Sequence, residues 1–505
     1  MRNFSSPFFR IHTAFLAAAL ISPVLVAAQI ASPRVSVQWE NIVRVSNTTP
    51  TLQVVVNPPL RRGSAIHDRA FQALRDLHAD YVRFVPWMPY PRLGVAELQA
   101  PALGTTSWDF SLLDPLTVDF LDATKGHSVV LNFSTIPQWM FKSDHVPPVP
   151  EDPHQIVWDY EQGTELVDPS GKQVGEYYAR LVSWYNRGAF KDELGKEYHS
   201  GHSYPIPYWE ILNEPEYEHA IAAPAYTAIY DAVVSSVRRV SPATKFVGAS
   251  LATPRKSPEF FEFFLNPRNH QKGIPLDYIS YHFYAEPDAD EGMDVQQHTF
   301  FAQADGFLNS VRYIEAIRMR LSPQTKTMIN EVGTISAEGA NQGTADRKSE
   351  PIPQSYWNLS GALYAYLFGE LSRMGIDVVG ESQLVGYPGQ FPSVTMLDWN
   401  TGEPNARYWA LKVLLNNFHP GDRIVSSKSD SPFVYTFAVV TAEGKRRCLL
   451  INKRSREMEV SVAGLRGGSE ESIDLELGNQ PPVLKTLDSD KVRLGGFSVA
   501  VITLP

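Results

Sequence analysis

A single cysteine, Cys448, occurs in 505 residues. No intrachain disulfide can form, so stability has to come from an apolar core. The same scarcity excludes a paired-cysteine metal site. The chain has no His-Glu-x-x-His, no Gly-x-Ser-x-Gly and no phosphate-binding glycine loop, which removes the chemistries those motifs carry. No basic run interrupts a chain of formal net charge -10, so no nucleic-acid partner is expected. Beyond the first 28 residues no segment is long and apolar enough to span a bilayer. No repeat of solenoid period and no low-complexity tract is present.

What is present is the composition of a globular protein, 43% hydrophobic and 20% charged, and long enough for one large domain and a smaller one. With 10 Trp, 22 Tyr and 26 Phe, aromatic rings suffice both for a core and for flat apolar platforms in a cleft. Residues 1–28 read as a secretory signal peptide. Arg2 and Arg10 flank an apolar run over residues 14–28 that Ser22-Pro23 interrupts, and Val26-Ala27-Ala28 before Gln29 suits cleavage. Secretion is therefore expected, with no membrane association after cleavage. Asn47-Thr48-Thr49 and Asn358-Leu359-Ser360 are glycosylation sequons, whereas Asn132-Phe133-Ser134 falls in an expected buried strand.

Eight short apolar runs alternate with segments of helical spacing. Strands are predicted over residues 51–56, 81–85, 128–133, 208–214, 245–248, 277–284, 326–331 and 376–380. Helices are predicted over 67–79, 110–124, 174–185, 224–240, 301–321, 356–374 and 406–418. In the first of these Ala70, Leu74 and Leu77 recur at helical spacing. Such alternation predicts an α/β fold of parallel strands covered by helices, closed as a (β/α)₈ TIM barrel. Residues 141–168, rich in Pro, Asp and His, read as a long loop on the barrel rim. After Pro420 short alternating runs (433–437, 448–451, 458–462, 499–502) replace helices, which predicts a C-terminal β-sandwich. The expected division is a signal peptide over 1–28, N-terminal strands over 29–50 that join the sandwich, a barrel over 51–419 and the sandwich over 420–505.

The chemistry concentrates in Tyr208-Trp209-Glu210-Ile211-Leu212-Asn213-Glu214-Pro215. Pro215 ends a central strand and keeps the residue before it out of the right-handed helical region, so Glu214 is expected extended at a strand's C-terminal end. That rim carries catalytic groups in TIM barrels. Glu331, in Met328-Ile329-Asn330-Glu331-Val332-Gly333, is a second acid at a matching strand end. Two carboxylates on different strand tips suit cleavage of a glycosidic bond. His282 and Tyr284 share parity on their strand, so both can face the barrel axis. Arg83 is a charge inside an apolar strand and needs an anion if buried. His145, His154 and nearby acids lack the spacing of a metal site, and no cofactor or metal is expected.

Residues 208–216, the run Tyr281-His282-Phe283-Tyr284 and residues 328–333 together resemble a clan A glycoside hydrolase. The order of parts most resembles glycoside hydrolase family 39, which includes β-xylosidases and α-L-iduronidases; Ile136-Pro137-Gln138-Trp139-Met140 after the third strand and the C-terminal sandwich belong to that order. The resemblance runs from about residue 35 to the end on a few short motifs, and residues 141–168 and 286–299 match nothing in it. It implies that Glu214 is the general acid/base and Glu331 the nucleophile, with retained anomeric configuration. Retention implies carboxyl groups about 5–5.5 Å apart, close enough to push one pKa up. It also implies that Asn213 bonds a sugar 2-hydroxyl, that Tyr284 donates to the nucleophile, and that Arg83 supports Glu331. Glu210, of like parity to Glu214, is the competing partner for Arg83. Trp139 is expected to stack on a sugar, whereas Trp87, Trp357 and Trp399, near rims or loops, are more often core residues. Glu216, Glu218 and Asp398 are expected to be solvated. The substrate implied is a plant or microbial oligosaccharide or polysaccharide, cleaved outside the cell by a β-xylosidase-like enzyme. The alternatives are another clan A glycosidase (β-glucosidase, β-galactosidase or endo-glucanase) or a barrel that binds carbohydrate without turning it over.

Overall fold

The computed structural model describes residues 32–144, 148–158, 160, 163–288, 291–336 and 351–505. The expected signal peptide and His145 lie outside them. Eight parallel strands close into a barrel in chain order: Thr49–Val55, Val82–Val85, Val129–Leu131, Tyr208–Glu210, Lys245–Leu251, Tyr278–Ala285, Lys326–Thr334 and Val378–Glu381, which pairs back with the first. Each strand is followed by a helix. Seven of these helices match the predicted ones, and in the first, His67–Leu77, the spaced Ala70, Leu74 and Leu77 are buried. The eighth, Pro258–Phe264 after the fifth strand, is missing from the sequence reading. Its seven residues are too few, and its four phenylalanines too continuous, for helical periodicity to stand out.

Nine strands form a second sheet, in which Arg34–Val45 pairs antiparallel with Arg423–Ser429 and parallel with Met458–Val462. One face of this sheet lies against barrel helices, where Phe368, Phe418 and Phe437 meet ring to ring. The other face holds Val425, Cys448, Leu450, Val460, Val492 and Ile502, all at most 1% exposed. That cluster contains no helical residue, so the sheet is buried against itself, as a sandwich. The lone cysteine is one of its core side chains.

Two irregularities position the site. In the seventh strand three steps (Met328 to Glu331) pair with two on the sixth (Ser280 to His282), and the eighth strand shows the same mismatch. A bulge of this kind breaks strict alternation. Asn330 and Glu331 consequently both reach the lumen, where one bonds Glu210 and the other Arg83. Glu331 therefore lies within its strand, which continues to Thr334. The second irregularity follows the fourth strand, which stops at Glu210 rather than running to Glu214.

Candidate active site

Leu212 (φ 59°) and Glu214 (φ 42°, ψ 49°) are left-handed, so the expectation of an extended Glu214 is corrected. Pro215 bars the right-handed region, as expected, but the chain takes the mirror region in its place. A non-glycine residue pays about 1–2 kcal/mol there, so neighbours must hold it. The Glu214 amide donates to Ser250 O (2.9 Å), the Leu212 amide to Tyr178 Oη (3.1 Å), and Leu212 O accepts from Asn132 Nδ2 (3.1 Å). The turn swings the Glu214 carboxyl over the barrel mouth, toward the sixth strand.

On that strand Ser280, His282 and Tyr284 alternate into the lumen. Ser280 Oγ donates to Glu210 Oε1 (2.5 Å), and Tyr284 Oη donates to Glu331 Oε2 (2.6 Å). His282 Nδ1 lies 2.7 Å from Glu214 Oε1 and 3.7 Å from Glu331 Oε2. The facing oxygens of Glu214 and Glu331 lie within 4.8 Å of each other. This is the close spacing at which one carboxyl attacks while the other transfers a proton, with no room for a water between them.

Arg83 joins both of its candidate partners. Nε donates to Glu210 Oε2 (2.5 Å) and Nη1 to Glu331 Oε1 (2.5 Å). Nη1 also reaches Gln53 Oε1 (2.7 Å), and Nη2 reaches Asn213 Oδ1 (2.6 Å) and Ser250 Oγ (3.2 Å). All five guanidinium N–H groups are thus used. Glu210, fully buried, accepts further bonds from Asn132 (2.6 Å), Asn330 (2.8 Å) and Ser280. The sequon asparagine Asn132 is accordingly part of the barrel interior.

These contacts drive the two acids apart. Burial raises the Glu214 pKa and outweighs the opposing hydrogen bond and charge of His282; the Glu331 charge adds to the rise. Burial acts on Glu331 too, but the charges of His282 and Arg83 and the bonds from Tyr284 and Arg83 overcome it and hold its pKa below the ordinary value. Burial works against the His282 imidazolium, and the two carboxylates more than compensate. Burial and the Glu331 charge keep Tyr284 a phenol, and so a donor. Among the described residues Glu214, His282 and Glu331 form the one group of three dense enough to hold a cation. Such an ion would compete with the charges of Arg83 and His282 for the same oxygens. His154 packs against Arg61.

Glu214 and Glu331, with side chains 15% and 10% exposed, open onto a cavity of about 680 Å³. Asn213, His282 and Tyr284 also line it. Trp139 does not. The turn Gln138–Met140 points its indole N–H at Glu97 O (3.0 Å) and lays the ring on the barrel core, which corrects its expected place in the cleft. The aromatic wall is built instead by Trp87, stacked on Phe391 (21°, 6.0 Å), with Trp158 edge-on (5.3 Å). Trp357 belongs to the core, and Trp399, half-buried, packs against it. Trp158 comes from the long loop, in which periodicity gives no signal. Glu216 and Glu218 are not solvated either: Glu216 accepts from the Thr253 amide (2.8 Å), and Glu218 lies in the cavity wall.

No family model matches the chain, and no curated protein matches it. Solved structures share its fold at low identity. A GH30 xylanase C catalytic domain from Talaromyces cellulolyticus is 11% identical, with a TM-score of 0.60 over 94% of this chain and 100% of that one. A GH51 arabinofuranosidase from Xanthomonas axonopodis pv. citri is 13% identical, with a TM-score of 0.62 over the same shares. A GH39 β-xylosidase from Caulobacter crescentus is 13% identical, with a TM-score of 0.55 over 93% and 99%. The barrel and the added β-domain are thus the architecture of these glycoside hydrolases.

Proposed function

We propose that the protein is a secreted retaining glycoside hydrolase acting on plant or microbial oligosaccharides or polysaccharides, with a β-xylosidase-like activity as the leading specific reading. The observation that carries it is the pair of lumen carboxyls within 4.8 Å of each other, one pushed toward its protonated form and the other held ionised. Glu331 attacks the anomeric carbon as Glu214 gives its proton to the departing glycosidic oxygen. Glu214 then takes a proton from water, which attacks the same carbon and frees Glu331. Asn213 and Tyr284 border the space where the sugar reacts. The secretory pattern of residues 1–28 supports an extracellular site of action. A barrel that merely binds sugar has no use for two acids held in opposite protonation states.

Two measurements test this reading. A screen of nitrophenyl glycosides and plant oligosaccharides identifies the sugar, and absence of turnover on all of them sinks the enzyme reading in favour of a binder. On the best substrate kcat/KM should be bell-shaped in pH. Its acid limb, set by Glu331, should lie below the ordinary carboxylate range and its alkaline limb, set by Glu214, above it. Glu214→Gln should flatten the alkaline limb on an aryl glycoside.

The glycine at 333 gives a further check. A Cβ there would lie 2.9 Å from Tyr284 Cε1, so Gly333→Ala must shift the ring whose hydroxyl bonds Glu331. Loss of a hydrogen bond to a charged group is worth about 1.5–3 kcal/mol, or roughly 10- to 150-fold in kcat/KM. Tyr284→Phe should show the same fall, and the double variant no more than either. Additive losses would mean that the two changes act independently.

A further inference from the structure

The short helix Pro215–Glu218 brings a third carboxyl into the cleft. The Glu218 amide donates to Glu214 O (2.7 Å), so residue 218 sits one turn beyond residue 214 and on the same side. Glu218 Oε1 accepts two hydrogen bonds, from Trp87 Nε1 and Asn213 Nδ2, each 2.8 Å long. Oε2 takes none from the described residues, and no lysine or arginine among them pairs with the carboxyl. Burial, followed by the charge of Glu214, pushes the Glu218 pKa well above its ordinary value.

Folding alone does not account for an acid here. Glutamine has the same shape, accepts the same two N–H groups through its amide oxygen, and has no ionised form to desolvate. A carboxyl standing where an amide would serve the fold points to work for Oε2. Trp87, anchored by Oε1, presents an aromatic wall with Phe391, and Oε2 is a polar atom beside that wall. A flat apolar face next to a hydrogen-bonding oxygen is what a sugar ring presents contacts for, through its C–H face and its hydroxyls.

We propose that Glu218 is a substrate-binding residue. Oε2 bonds a hydroxyl of the carbohydrate while Oε1 fixes Trp87 and Asn213. The identity of the ligand rests on the glycosidase reading; the geometry does not.

Glu218→Gln separates the roles. It should melt no lower than wild type at pH 5 and higher at pH 8. A half-buried acid whose pKa is raised loses stability as pH climbs above the ordinary carboxylate range, and the amide does not. On an oligosaccharide of the sugar that wild type cleaves, KM should rise about tenfold with kcat little changed. A Glu218→Gln protein that melts below wild type at pH 8 would assign the carboxyl to the fold, and one with wild-type KM would show that Oε2 meets no substrate. Either result overturns the proposal. If wild type cleaves no glycoside, the glycosidase reading fails by itself, and tryptophan fluorescence titrated with xylotetraose and cellotetraose judges Glu218. Binding by wild type that Glu218→Gln loses keeps the proposal, and equal curves, flat ones included, overturn it.

Discussion

Glu331→Ala should turn over no glycoside, whatever its leaving group, if this residue makes the first bond to the sugar as proposed. Glu214→Ala should behave differently. Protonation of the leaving oxygen contributes about 10²–10⁴-fold, but a nitrophenolate needs little of it. The variant should therefore form the glycosyl-enzyme from an activated aryl glycoside and then stall, since nothing deprotonates water. Added azide needs no base and should restart turnover, yielding a glycosyl azide of retained configuration. The two environments motivate this assignment: Glu214 is desolvated beside His282, and Glu331 is held ionised by Arg83, His282 and Tyr284. Azide rescue of Glu331→Ala with inverted product, and none of Glu214→Ala, would exchange the roles. Wild-type rates in both variants on natural oligosaccharides would place the reaction elsewhere.

Arg83→Met should lose activity and stability together, because one guanidinium serves both acids. Removing the bond to Glu331 should lower turnover roughly 10- to 150-fold by the value of a charge-assisted hydrogen bond. Removing the partner of Glu210, 0% exposed, should cost about 3–5 kcal/mol of folding stability. The Glu210 pKa is lowered because the charge of Arg83 and the bonds from Ser280 and Asn330 outweigh burial. Its contribution is therefore present above the unfolded carboxylate pKa and fades as pH falls through the folded one. The gap between wild type and Arg83→Met should accordingly be widest near neutral pH and close on acidification, as measured by chemical denaturation across pH. Arg83→Lys should recover only part of either property, since one ammonium cannot fork to two carboxylates. A folded, fully active Arg83→Met would contradict both contacts.

The eight strands, seven of the eight helices and the β-domain were legible in the chain because period 2 and period 3.6 are local properties, written wherever one face of an element is buried. The parity of His282 and Tyr284 was legible for the same reason, and so was the need of Arg83 for an anion. Which anion was not legible. The sequence posed Glu210 against Glu331, and the closed barrel answered with both, because a fork of five donors at the centre of the lumen reaches strands that are far apart in the chain. The left-handed Glu214 and the bulge that turns Glu331 inward depend on bonds from other strands and a helix, to which local propensity is blind. The aromatic wall was misplaced in the same way. Trp139 lies near a strand end yet packs on the core, and Trp87, Trp158 and Phe391 meet only because three separate loops converge over one mouth. The chain by itself determined what each element is and which acids it carries. The tertiary structure decided what surrounds each acid, because burial and the charges of distant neighbours set its protonation.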